Sequence, residues 1–222
     1  MVKRLAALVV GMLSLVAIAT PASALGIQEH RSAERDRGRQ ELNLGEEALG
    51  RKDWDSAIDH YTKGLDAKAC GDNCGNYYFH RGVAYQQKQD CVKALADFTE
   101  AQKTVKDNGE LYFDASLCHS LLNQPDAALE DLNNAIKVNP EATNYHYGRC
   151  IILFNKHDFA NALPDCEFTL GSAPDDQIML YATAASAEQT GDKAKAAKYY
   201  KHLHDLNPGD QRATDGLKRV GG

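Results

Sequence analysis

Apolar positions along this chain recur with a fixed long period. Alanines that open apolar runs stand at Ala57, Ala94, Ala128, Ala162 and Ala196, spaced by 37, 34, 34 and 34 residues. Four residues after each comes a bulky or soft side chain (Tyr61, Phe98, Leu132, Cys166, Tyr200). Three further on stand Gly64, Ala101, Ala135, Thr169 and Leu203. Offsets of four and three trace one face of an α-helix, and Pro140, Pro174 and Pro208 close three of the units where a ring without an N–H stops a helix. Twelve residues before each alanine lies a second column, Gly45, Gly82, Ser116, Cys150 and Ala184, followed at a distance of three by Ala48, Tyr85, His119, Leu153 and Ala187. It predicts a preceding helix whose small residues let two helices approach closely. The turns between the two helices read "RKDW", "KQDC", "NQPD", "KHDF" and "TGDK". Four of them offer an aspartate able to accept the free N–H groups at the start of the second helix. The pattern predicts an all-α chain of about five helix-turn-helix repeats, over 38–74, 75–108, 109–142, 143–176 and 177–210, with 211–222 a short cap or tail.

The opening stretch obeys no such period. Lys3 and Arg4 precede an uncharged apolar run from Leu5 to Thr20, and "PASA" supplies small residues at Ala22 and Ala24. This predicts a signal peptide over 1–24, cleaved after Ala24. The run has 16 residues, short of the ~20 that a membrane-spanning helix needs. Residues 25–37, with "EHRSAERDR", are either a disordered charged leader or an extension of the first helix. Two of the 25 basic residues and none of the 31 acidic ones precede the cleavage site, so cleavage moves the net charge from −6 to −8. No basic block remains for a nucleic acid to bind, and no later stretch could span a membrane. The expectation is a periplasmic or secreted protein.

The columns of small, aromatic and proline residues resemble the tetratricopeptide repeat, best in "GNYYFHRGVAYQQKQDCVKALADFTEA" from Gly75 and "GDKAKAAKYYKHLHDLNP" from Gly191. The resemblance spans Gly38 to Asp210 and implies a right-handed α-solenoid whose first helices line a concave groove. Two departures stand out. Glu41 replaces a large aromatic and predicts a loosely packed first helix. Pro164 falls inside the second helix of the fourth unit and predicts a kink or a late start.

Six cysteines, all beyond the expected cleavage site, form an even count in an oxidising compartment. "ACGDNCG" coincides with the three extra residues between units one and two. A zinc site needs two more ligands at suitable spacing, and a redox pair the two-residue spacing with a basic neighbour, so Cys70–Cys74 is read as a staple. Cys150 and Cys166 replace the small residue and the aromatic that face each other in each hairpin of the family, which implies a bond between them. Cys91 and Cys118 fall on helices that the resemblance makes neighbours, and form the third expected pair.

Transferring the family's groove register gives three rows on the first helices. The first is Leu42, Phe79, Phe113, Tyr147 and Tyr181. The second is Glu46, Val83, Leu117, Ile151 and Ala185. The third is Leu49, Gln86, Ser120, Phe154 and Glu188. His80 and Asp114 hold equivalent positions in adjacent units. Such a surface suits an extended peptide or an amphipathic helix. The lysine and asparagine that some relatives use to clamp a terminal carboxylate are replaced by Leu42, Glu46, Phe79 and Val83. Glu46, Glu110, Asp114 and Glu188 favour a basic or apolar partner segment. No phosphate-cradling loop, paired catalytic carboxylates, metal constellation or cofactor motif is found. His202 and His204 point to different helix faces, and Ser116, Asp114 and His119 lack an oxyanion device. A non-catalytic exported scaffold is expected, the alternative being a self-associating structural repeat protein of the cell envelope.

Overall fold

The computed structural model describes residues 21–71 and 74–221. The expected signal peptide lies, over 1–20, outside the described residues. Among the described residues are eleven helices: α1 (Pro21–Gly50), α2 (Trp54–Asp66), α3 (Cys74–Gln87), α4 (Cys91–Ala101), α5 (Gly109–Leu121), α6 (Pro125–Val138), α7 (Thr143–Asn155), α8 (Phe159–Ser172), α9 (Gln177–Gln189), α10 (Lys193–Leu206) and α11 (Gln211–Val220). Each odd-numbered helix pairs with the next to form a hairpin, and each even-numbered helix then packs on the following hairpin, so the pairs stack in chain order. None of the helices is long and apolar enough to cross a membrane.

The small-residue column sets the depth of each hairpin. A Cβ on Gly45 would lie 2.7 Å from the Tyr61 ring, and one on Gly82 2.6 Å from the Phe98 ring. Both aromatics are buried flat against bare backbone. In the fourth unit Cys150 and Cys166 take these two places and are bridged, with Cα atoms 5.3 Å apart. Closing 16 residues in this way stabilises by about 3 kcal/mol on the chain-entropy account. Cys70 and Cys74 are bridged at the joint between α2 and α3, with Cα atoms 4.9 Å apart.

The third expected pair is not bonded. Cys91 and Cys118 are free, buried thiols in neighbouring helices. The register of α4 on α5 brings the sulfurs together in one apolar cluster without joining them, and burial pushes the Cys118 thiol well above its ordinary range.

Other expectations are also corrected. The first unit is not loose: Leu42, Ala48, Ala57 and Tyr61 are buried together, and Glu41 meets His60 Nδ1 at 2.7 Å. Of the two alternatives for residues 25–37, the structure has the helical extension, as exposed turns of α1. Helix α8 runs without interruption through Pro164. The proline and Ala160, whose carbonyl loses its helical partner, are both exposed, so water can satisfy the freed oxygen.

The turns share a feature that sequence inspection does not reveal. Lys52, Gln89, Asn123, His157 and Gly191 all have positive φ, between +57° and +88°, at the same place in each of the five units. This left-handed residue reverses the chain. Aspartates then cap α2, α4 and α10, with Asp53, Asp90 and Asp192 accepting from the N–H groups of Ser56, Lys93 and Lys195.

Candidate protein-binding groove

Successive first helices approach one another at α1/α3, α3/α5 and α7/α9, whereas successive second helices do not. The layer in which alternate helices meet is the inner side of the stack, which places the first helices on the concave face. Helices α5 and α7 are the exception. Their approach is looser, with Phe113 packed on Tyr145 at a ring-centroid distance of 5.1 Å, and an open cavity of about 790 Å³ lies between them. Phe113, Ser116, Leu117 and Ser120 form one wall, Tyr147, Gly148, Ile151 and Asn155 the other, with Leu132 of α6 and Thr169 of α8 beneath.

The expected groove residues divide into three groups. Phe113, Leu117, Tyr147 and Ile151 line the cavity, with Leu117 41% exposed. Leu42 and Phe79 do not offer a binding surface, being only 2% and 8% exposed. Leu42 sinks onto Gly64, where a Cβ would come within 2.4 Å of it, and Phe79 packs on Phe98 with ring centroids 6.1 Å apart. Val83 packs on the same cluster as Phe79. Phe154 and Tyr181 lie nearer the C-terminal end, edge to face at 5.9 Å, with Arg212 stacked 4.7 Å over Tyr181.

His80 and Asp114 stand at equivalent positions and both lean toward the preceding unit. His80 Nδ1 is 2.8 Å from Glu46 Oε1. Asp114 sits beside Gln86, whose side-chain amide donates to the Asp114 carbonyl at 3.2 Å. Burial pushes the Asp114 carboxyl up to about 6. Gln86 opposes the shift and Glu110 reinforces it, with no cation among the causes. The basic side chains nearby are otherwise engaged: Lys156 pairs with Asp126, and Arg149 with Asp165 at 2.6 and 2.8 Å. Asp176 closes the far end, its carboxylate accepting from the N–H groups of Ile178 and Met179. The groove is thus apolar within and acidic at its ends.

Sequence reasoning missed Gly148. It continues the column of His80 and Asp114 at the same interval of 34, and that spacing was the available signal. The histidines place no reactive centre here. His146 is buried between Asp165 Oδ1 at 2.7 Å and the Pro140 carbonyl at 2.8 Å, a satisfied core residue.

A family model for the tetratricopeptide repeat matches residues 122–166 and 151–210. Among solved structures, YrrB, a TPR protein with an unusual peptide-binding site, is similar with a TM-score of 0.68 at 20% identity, over 80% of this chain and 90% of that one. A MamA protein gives 0.66 at 17% identity, covering 82% and 94%. A tetratricopeptide repeat protein from Parabacteroides merdae gives 0.65 at 15%, covering 82% and 72%. Likeness at these identities speaks for the fold alone. Residues 122–210 thus match the tetratricopeptide-repeat family, and the helix pairs that precede them share the fold of tetratricopeptide-repeat solenoids.

Proposed function

We propose that this protein is an exported, non-catalytic scaffold that binds a segment of another protein along its concave face. The observation that carries the reading is the apolar opening between α5 and α7, where Phe113, Leu117, Tyr147 and Ile151 present partly exposed side chains that the fold itself does not cover. Such surface is favourable to bury, at about 25 cal/mol per Å² removed from water. Two cysteine pairs at bonding distance support an oxidising compartment, in keeping with cleavage after Ala24. YrrB, described as having an unusual peptide-binding site, shares the fold and makes a peptide-like occupant a natural one. The acidic ends favour a basic or apolar segment.

Crosslinking in the native compartment, followed by mass spectrometry, tests the reading. Partners captured by the wild-type chain should be lost from a folded Phe113→Ala, Tyr147→Ala double variant. Retention of every partner by that variant would remove the groove from the function.

A further inference from the structure

The opening between units three and four is bordered partly by bare backbone. In unit two the residue at this place on the first helix, His80, reaches back with its side chain to Glu46, and in unit three the Asp114 carbonyl accepts from the Gln86 side chain. Unit four has Gly148 instead. A Cβ there would already stand 3.2 Å from Leu132 Cδ2 and 3.9 Å from Phe113 Cε2. No side chain at 148 therefore bridges α7 to α5, and bare backbone forms part of the cavity wall.

Charge adds a direction. Glu110, Asp114 and Leu117 follow one another at offsets of four and three, so the two carboxylates share a helix face with the cavity wall. Among the described residues no cationic side chain forms an ion pair with either of them. Asp176 adds negative charge at the opposite end, near the Tyr147 hydroxyl. The one lysine on the wall, Lys156, is neutralised by Asp126.

Resting on the groove reading above, we propose that Gly148 creates an anchor pocket for one large apolar side chain of a partner segment, and that Glu110 and Asp114 select a lysine or arginine beside that anchor. The cavity is large enough for a leucine or aromatic side chain and falls in the size range of sites that enclose a ligand group. The occupant is a segment of a different protein, because a net-acidic chain with an acidic rim repels its own average surface.

The test uses the whole chain and a display library of random short peptides. Selected peptides should combine an apolar anchor with an adjacent lysine or arginine. A labelled synthetic copy of the enriched peptide is then titrated by fluorescence anisotropy. Gly148→Leu, which fills the pocket, should weaken binding about 10- to 100-fold, the equivalent of one buried aliphatic side chain. Leu117→Ser, at an exposed position that asks nothing of the fold, should weaken it in the same direction. Asp114→Asn should weaken it several-fold, with the loss fading at high salt. Circular dichroism confirms that each variant is folded. Enrichment of acidic peptides, or none, overturns the proposal. Binding that persists in both Gly148→Leu and Leu117→Ser removes the pocket while leaving the broader groove function intact. Self-association of the wild type that Gly148→Leu abolishes would reassign the pocket to a second copy of the chain.

Discussion

Asp131 on α6 offers the sharpest test of how these repeats are held together. In units two and four the equivalent aspartates, Asp97 and Asp165, receive two-pronged contacts from Arg81 (2.8 and 2.8 Å) and Arg149 (2.6 and 2.8 Å), each 16 residues upstream. Unit three has Ala115 where that arginine would stand. Asp131 is nonetheless buried, and its Oδ2 has no hydrogen-bond partner. The nearest ionisable partner is His119, with Nε2 3.6 Å away. Burial raises the carboxyl from 3.8 to about 6, His119 pulling it down and Glu130 pushing it up. Because the folded state holds the proton more tightly than the unfolded one, this contribution to stability is fully present below pH 3.8. It is lost as pH rises through about 6. The interval corresponds to roughly 3 kcal/mol, an upper figure because some water reaches the group. Asp131→Asn keeps the shape and removes the charge. Urea unfolding followed by far-UV circular dichroism should show the variant close to wild type at pH 4. At pH 7.5 it should be more stable by about 2 kcal/mol. Asp114 titrates over the same range but is common to both proteins, so the difference isolates Asp131. A difference that does not change with pH, or a variant less stable than wild type at pH 7.5, would refute the reasoning.

Further outcomes follow from the packing and the turns. Denatured without reductant, the protein should show two reactive thiols, from Cys91 and Cys118, and six after reduction. Four or none before reduction contradicts the pairing. Gly82→Ala drives a methyl into the Phe98 ring and should lower stability by about 1–3 kcal/mol. Gly26→Ala, with nothing near it, serves as the silent control. Gln89→Gly relieves a left-handed residue whose side chain is exposed, and should raise the unfolding midpoint by the equivalent of about 0.5–1 kcal/mol. An unchanged or lowered midpoint would show that the turn imposes no such strain.

What could be read from the chain alone is local. The columns that hold Gly45 and Tyr61, Gly82 and Phe98, and Cys150 and Cys166 were legible because a helix repeats its faces every three to four residues, and the family resemblance then implied which positions face each other. Five copies in phase then identify a hairpin that must stack to bury its apolar side. Phe113, Leu117, Tyr147 and Ile151, named from the register that the resemblance implied, line the cavity between α5 and α7. Only the tertiary structure decided how the units sit against one another. It sank Leu42 and Phe79 into the core, left the Cys91 and Cys118 thiols unjoined, buried Asp131 with an unpartnered oxygen and opened the cavity between α5 and α7. Each of these depends on the separation and register of helices in different units. A periodic pattern shows that two faces meet, whereas the volumes and charges packed between them determine how closely.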